Sequence, residues 1–198
     1  MLTYQILTAL VIGIICGKFF PTAYIWQSLD TVVTFALYAL LFLIGIDLGQ
    51  NREVWQQIRV HGWRLLLIPA GVIAGTFVGG ILAGLVLKMP ARESLAVASG
   101  FGWYSLTGII ISQMNQVELG ALAFIANIFR ELFAMVLVPI VAHHLGSLTA
   151  VAPGGATTMD TSLPLIAEAT DNEATVAAFI SGAVLSALVP VLVPFFMG

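Results

Sequence analysis

Long apolar runs alternate with short polar connections along this chain of 198 residues. Two of the runs, residues 65–87 and 174–198, contain no charged side chain. At a rise of about 1.5 Å per residue, a helix of about 20 apolar residues spans the hydrocarbon core of a bilayer. The pattern therefore predicts a membrane protein with several spanning helices and almost no soluble part.

The positions of these runs and of the polar connections predict seven membrane segments. They are residues 3–20, 28–48, 65–87, 91–114, 118–142, 151–168 and 174–197. The expected fold class is all-α, a polytopic integral membrane protein of about six or seven membrane segments in a single transmembrane domain of residues 1–198. Two of the segments, 91–114 and 151–168, are predicted to be discontinuous.

The segment 91–114 is apolar enough to enter a membrane but is rich in glycine, serine and threonine. Gly100 and Gly102 flank Phe101, and each glycine inside a helix costs about 1 kcal/mol relative to alanine. A break in the helix is therefore expected close to these two glycines.

The segment 151–168 is more polar than its neighbours. Pro153 and Pro164 bracket two glycines, three threonines and Asp160. Such an interrupted backbone is tolerated at membrane depth only where protein or a water-filled cavity surrounds it. We therefore expect a broken or re-entrant segment here.

Composition agrees with the membrane assignment. Of all residues, 60% are apolar and 9% are charged, whereas a soluble domain carries about 25% charged residues. The seven lysine and arginine residues are scattered along the sequence and do not form the basic cluster that is typical of a nucleic-acid-binding protein. The single cysteine, Cys16, excludes an internal disulfide and a cysteine-based metal cluster. No cofactor or metal is expected.

The basic residues also predict an orientation. The connection 49–64 is the most basic in the chain, and the positive-inside rule places it in the cytoplasm together with the N-terminus. The span 65–87 then emerges on the outer face near Lys88. Met1–Gln5 has no basic side chain, so the first run is expected to be a span and not a cleaved signal peptide. The expected location is the inner (cytoplasmic) membrane.

Three glycines form a stripe on one face of the span 65–87. Gly71, Gly75 and Gly79 follow one another at intervals of four residues, so another backbone can approach closely there. The favoured interpretation is ordinary packing inside the subunit, and the alternative is a dimer seam.

Ionisable residues inside a membrane are costly and are functional candidates for that reason. The strongest cluster is Asn127, Arg130 and Glu131, close to the middle of the segment 118–142. Asn127 and Glu131 share a helix face, whereas Arg130 and Glu131 lie about 100° apart. Each is expected to need a partner on another segment. The alternative is an arginine–acid pair that merely joins helices.

Two aspartates complete the acidic candidates. Asp160 lies in the glycine-rich broken segment, where freed carbonyls, hydroxyls and half-helix ends supply ligands. The alternative for Asp160 is a helix N-cap in a polar surface loop. Asp47 closes the segment 28–48 between Gly45 and Gly49, and its alternative is an interfacial carboxylate without a function.

An intramembrane hydrolase is the enzyme class to weigh against transport, with Asp47 and Asp160 as an aspartyl dyad. Neither aspartate lies in a Gly-x-Gly-Asp stretch, and the chain contains no Gly-x-Ser-x-Gly elbow. The adjacent His143 and His144 diverge on a helix, and no third metal ligand is apparent. The residues therefore indicate a transporter, not an enzyme.

Three stretches in order resemble the lysine exporter LysO family. They are Ser99–Gly108, Asn127–Glu131 and Gly155–Pro164, and Phe42–Leu48 also fits. The resemblance covers nearly the whole chain. It implies export of L-lysine and of toxic lysine analogues. It also implies distant kinship with the cation/proton antiporter and anion transporter folds, which are built from inverted repeats with crossing broken helices.

Lysine efflux by proton antiport is the expected function. The alternative is a non-transporting regulatory subunit of the holin/antiholin type, which controls murein hydrolases. Lysine and protons are expected to compete for shared carboxylates, because like charges in one site repel. The candidate residues for substrate and proton binding are Glu131, Asp160, Asp47, Arg130, Asn127, Thr157, Thr158, Thr161, Ser105 and Tyr104.

The resemblance also predicts a partner. Full-length members of the family begin with about a hundred additional residues of membrane helix, enough for several spans. We therefore expect either a small membrane subunit of about that size or a homodimer.

Overall fold

The computed structural model describes residues 65–198, together with five isolated helical positions at Val32, Phe35, Ala39, Phe42 and Ile46. The predicted spans 3–20 and 28–48, the basic connection 49–64 and Asp47 lie outside the described residues. The chain separates into two compact units, Met1–Leu43 and Ile44–Gly198, and residues 65–198 all belong to the second.

All regular structure in the described range is helical, which confirms the all-α class there. The α-helices are α1 (Leu67–Leu87), α2 (Ala91–Ala98), α3 (Tyr104–Gln113), α4 (Val117–Leu145), α5 (Leu163–Ala169) and α6 (Asn172–Met197). Two short 3-10 helices, Thr149–Val151 and Gly155–Met159, lie between α4 and α5. Within this range α1, α4 and α6 are long and apolar enough to cross a membrane. The chain is therefore a multi-pass membrane protein.

Helices α1 and α2 pack together through small residues. The Ser94 hydroxyl donates a hydrogen bond to the Gly80 carbonyl, one turn from Gly84. A Cβ atom at Gly84 would lie 2.7 Å from the Ser94 hydroxyl oxygen, and one at Gly80 would lie 2.8 Å from the Ala98 Cβ. The absence of side chains at both glycines therefore allows α2 to lie directly against α1.

The glycine stripe of α1 is not packed against another part of the described chain. Gly71, Gly75 and Gly79 are exposed, and nothing lies within 4 Å of a Cβ atom built at any of them. The packing inside the subunit that we expected at this stripe is not found among the described residues.

Helix α6 is the most buried of the three long helices. Asp171 caps its start, because the Ala174 backbone N–H donates to the Asp171 carboxylate at 2.8 Å. This hydrogen bond holds the pKa of Asp171 below its ordinary value. Farther along, a Cβ atom at Gly182 would overlap the Met159 backbone nitrogen. Helix α6 therefore supports the 3-10 helix Gly155–Met159 at very close range.

Candidate functional site

The first interruption separates α2 from α3 at residues 99–103, where the backbone turns. Phe101 and Gly102 both adopt positive φ angles, of 48° and 100°. Helical hydrogen bonding cannot continue through such residues, so the helix is interrupted between α2 and α3, close to the two glycines where a break was expected.

The second interruption lies between α4 and α5 and contains both 3-10 helices. Gly155 adopts a φ angle of 63° at the start of the second one. Freed backbone groups are satisfied locally here: the Thr157 hydroxyl donates to the Gly154 carbonyl at 3.0 Å, and the Thr158 hydroxyl donates to the Gly155 carbonyl at 2.9 Å. Glycine supplies the turn, and threonine compensates for the hydrogen bonds that the turn removes.

The two interruptions touch each other directly. The Ala156 backbone N–H donates to the Phe101 carbonyl oxygen at 2.8 Å. A Cβ atom at Gly102 would lie 3.3 Å from the Gly154 carbonyl oxygen. The two broken stretches therefore meet backbone to backbone, and α4 runs beside their meeting point. We call this meeting point, Phe101–Gly102 against Gly154–Ala156, the crossing.

Arg130 lies beside the crossing at the middle of the 29-residue helix α4. Its Nε donates to the Pro153 carbonyl oxygen at 3.3 Å, and its Nη1 donates to the Thr76 hydroxyl at 3.0 Å. A Cβ atom at Gly155 would lie 3.0 Å from Arg130 Nη2. Both hydrogen-bond acceptors are neutral, so the arginine–acid pair we weighed is not found among the described residues. Arg130 instead joins α1, α4 and the second interruption.

Thr76 is a residue of this site that the sequence interpretation missed. It is the only hydroxyl-bearing residue between positions 65 and 87. A single hydroxyl-bearing side chain in an otherwise apolar span could have indicated a polar contact at this position. It also borders an open, mostly apolar groove of about 590 Å³ between α1 and α4, which Gly71, Gly75 and Arg130 line as well.

Glu131 faces a different neighbour from Arg130. It is half-buried, and the structure gives it no hydrogen bond within the described chain. The Tyr104 hydroxyl group interacts electrostatically with the Glu131 carboxylate and, more weakly, with that of Asp160. Tyr104 is the first residue of α3, and its ring stacks edge to face on Phe124 at 5.3 Å. Glu131 and Asp160 thus both lie within electrostatic range of Tyr104, and we call these three residues the acidic cluster.

Asp160 is exposed, and its carboxylate accepts a hydrogen bond of 2.5 Å from the Thr161 backbone N–H. Helix α5 begins at Leu163 with Ser162 at the N-cap position, so Asp160 is not the cap of that helix. The structure therefore does not support the N-cap alternative for Asp160 at α5.

The hydroxyl-bearing candidates fall into two groups. Thr157 and Thr158 are buried, and both hydroxyls are engaged: that of Thr157 also contacts the Ser162 hydroxyl at 2.7 Å, and that of Thr158 also donates to the Ala178 carbonyl at 2.7 Å. Thr161 and Ser105 are exposed. The exposed pair is accessible to a ligand, whereas the buried pair stabilises the interruption.

Comparison with known proteins points to one family. The family model described as "Lysine exporter LysO" matches residues 7–197. A protein of Escherichia coli (strain K12) named "Lysine exporter LysO" is 38% identical over 162 residues, which cover 82% of this chain and 54% of that protein. This chain thus spans about half the length of that relative.

A second relative has the length of this chain. A Haemophilus influenzae protein named "Putative lysine exporter" is 30% identical over 198 residues, covering 97% of this chain and 96% of that protein. No solved structure matches. Nothing in these comparisons supports a regulator of murein hydrolases.

Proposed function

The chain belongs to the lysine exporter LysO family, and from this membership we propose that it exports L-lysine and lysine analogues across the inner membrane. The observation that carries the proposal is the acidic cluster, where Glu131 and Asp160 lie near Tyr104. Lysine carries a net charge of +1 at neutral pH, and carboxylates bind ammonium groups through charge-assisted hydrogen bonds. Arg130 makes its hydrogen bonds to neutral oxygens and not to either carboxylate, so both carboxylates are left without an arginine ion pair among the described residues.

The two ends of the substrate require different partners. The ammonium groups fit Glu131 and Asp160, whereas the α-carboxylate requires donors or positive charge. The first turn of α3 presents backbone N–H groups next to Tyr104, and the N-terminus of a helix favours an anion. We assign the substrate carboxylate to this turn, with the Ser105 hydroxyl exposed beside it.

The second part of the proposal is that lysine export is coupled to proton entry, which is proton antiport. Glu131 and Asp160 are like charges near one phenol, so a proton and a lysine cation compete for them. Export of a cation against the membrane potential costs about 2.3 kcal/mol per charge for each 100 mV. An exchange of one proton for one lysine is electroneutral, and the pH gradient alone then drives it. Asp47 is a further acid of this proposal and lies outside the described residues.

Purified protein in liposomes tests both parts of the proposal. We expect lysine efflux that depends on the protein, and with the membrane potential clamped to zero we expect its rate to follow an imposed pH gradient in direction and size. Absence of any lysine flux would contradict lysine export. A lysine flux that is unchanged when the pH gradient is reversed would contradict proton coupling and leave binding as the role of the carboxylates.

Accessibility of Thr161 tests where lysine binds. In a Cys16→Ser background, Thr161→Cys should react with a polar thiol reagent, because Thr161 is exposed beside Asp160. Lysine at ten times its dissociation constant should slow the reaction about ten-fold by mass action.

The matched control for this experiment is Ala91→Cys, an exposed position at the start of α2. Its labelling should not respond to lysine. If Thr161→Cys were inaccessible, or if lysine left its labelling unchanged, the substrate would bind elsewhere.

The partner expected from the sequence, a small membrane subunit or a second copy of this chain, stays a prediction.

A further inference from the structure

Both polar atoms of the Asn127 side chain form hydrogen bonds with the protein itself. Its Oδ1 accepts from the Gly102 backbone N–H at 2.7 Å. Its Nδ2 donates to the carbonyl oxygens of Val97 at 3.1 Å and Ala123 at 2.9 Å. Only 3% of Asn127 is exposed. Both N–H donors are therefore used, and the remaining lone pair of Oδ1 is buried, so the side chain offers a ligand no free donor and no exposed acceptor.

The two long-range partners are the backbone groups that the first interruption sets free. In a continuous helix the Val97 carbonyl would accept from residue 101, and the Gly102 N–H would donate to residue 98. Here the Phe101 N–H donates instead to the Ala98 carbonyl, at 3.1 Å. The Val97 carbonyl keeps only a long backbone hydrogen bond, of 3.4 Å from the Gly100 N–H, and the Asn127 amide adds a second donor there. The Gly102 N–H takes the Asn127 oxygen as the acceptor that the break removes. Unpaired buried backbone groups are costly, so the amide stabilises this conformation of the break.

The hydrogen bonds from Asn127 to Gly102 and Val97, which we call the Asn127 bridge, also connect the two sides of the acidic cluster. Asn127 and Glu131 are four residues apart on α4 and share a face. Gly102 is two residues before Tyr104, the first residue of α3. The hydrogen bond from Gly102 to Asn127 therefore couples the helix that carries Glu131 to the helix that carries Tyr104.

We propose that Asn127 is a positioning residue, which sets the placement of Tyr104 relative to Glu131 and does not itself contact the transported cation. The proposal rests on the transport function proposed above. It reassigns Asn127 from the candidate ligands to the supports of the site.

The geometry requires an amide at this position. One acceptor and two donated hydrogen bonds are used at the same time. A Cβ atom at Gly100 would lie 2.5 Å from Asn127 Nδ2, so the amide packs directly on the Gly100 backbone and leaves no space for the longer glutamine. A protonated aspartic acid accepts one hydrogen bond and donates one, whereas an ionised aspartate only accepts.

Asn127→Asp therefore converts the bridge into a pH-dependent one. We expect its unfolding temperature in detergent, and its lysine–lysine counterflow in liposomes, to approach those of the wild type near pH 5. At about pH 8 counterflow should be about ten-fold below wild type, because the ionised carboxylate donates nothing to Val97 or Ala123 and is buried. Counterflow is measured with the same pH on both sides, so that no proton gradient contributes.

Asn115→Asp is the matched control, because Asn115 is exposed in the turn between α3 and α4. It should match the wild type at both pH values. If Asn127→Asp lowered the unfolding temperature and counterflow equally at every pH, the positioning role would be overturned. Wild-type counterflow in this variant at every pH would overturn it as well.

A second variant separates positioning from direct binding. Asn127→Cys, in the Cys16→Ser background, should resist a polar thiol reagent with or without lysine. Rapid labelling that lysine suppresses would overturn the proposal and return Asn127 to the binding site. The unfolding and labelling measurements need no transport. A wild type without lysine flux, together with a pH-dependent unfolding temperature in Asn127→Asp, would therefore reject the transport function and retain the bridge.

Discussion

Replacing Glu131 with glutamine is expected to reduce lysine efflux by about ten- to a hundred-fold while the protein still inserts into the membrane. Glutamine keeps the shape and hydrogen-bonding capacity of the side chain but removes its charge. A hydrogen bond to a charged group contributes about 1.5–3 kcal/mol, and each 1.36 kcal/mol corresponds to about a factor of ten in rate. Efflux of radiolabelled lysine from liposomes, normalised to the amount of inserted protein, measures the effect.

Glu118→Gln provides the control for this substitution on the same helix. Glu118 is exposed in the first turn of α4, where a carboxylate contributes only about 0.3–1 kcal/mol through the helix dipole. Its efflux should stay close to that of the wild type. Near-normal efflux in Glu131→Gln would remove this carboxylate from the transport mechanism.

Consecutive residues of α4 serve different purposes in this arrangement. Arg130 makes hydrogen bonds to neutral oxygens of α1 and of the second interruption, whereas Glu131 lies near Tyr104. The angle of about 100° between consecutive residues on a helix explains this division. The arginine supports the crossing, and in the transport mechanism proposed above the glutamate binds the cationic substrate.

Much of the fold follows from the sequence because two simple patterns control it. Apolar runs with few charges predict long membrane helices, and the described range contains three of them. Glycine at positive φ interrupts a helix with little steric strain, and Gly102 and Gly155 occupy such positions. Composition and local backbone chemistry are thus sufficient for the helical class and for expecting broken segments.

The partners of the polar side chains were not predictable in the same way. Arg130 was expected to need a partner on another segment, with an acid as the alternative, and it donates to Thr76 and to the Pro153 carbonyl. The sequence did not indicate either acceptor. Thr157 and Thr158 were grouped with the ligands, yet their hydroxyls satisfy backbone carbonyls. These contacts depend on how segments distant in sequence meet at the crossing, and no local pattern contains that information.

The crossing itself depends on the absence of a side chain at Gly155. Its φ angle is 63°, a conformation that residues with a Cβ atom rarely adopt. A Cβ atom there would overlap the Phe101 carbonyl oxygen, which accepts a hydrogen bond from Ala156, and would lie 3.1 Å from Arg130 Nε. Since the obstructing atom belongs to the backbone of the other interruption, rotation of a side chain cannot relieve the overlap.

Gly155→Ala is therefore expected to lower the free energy of unfolding by about 2–5 kcal/mol, from backbone strain of about 1–2 kcal/mol and overpacking of about 1–3 kcal/mol. Lysine efflux should fall with it, because Tyr104 and Asp160 lie on the two segments that would separate. Gly146→Ala is the control for backbone strain alone: its φ of 94° and ψ of 161° are at least as unfavourable for alanine as the conformation of Gly155, but nothing lies within 4 Å of its Cβ atom. Thermal unfolding in detergent and efflux from liposomes compare the two variants. If Gly155→Ala were no less stable than Gly146→Ala and transported lysine equally well, close contact at the crossing would not be required for transport.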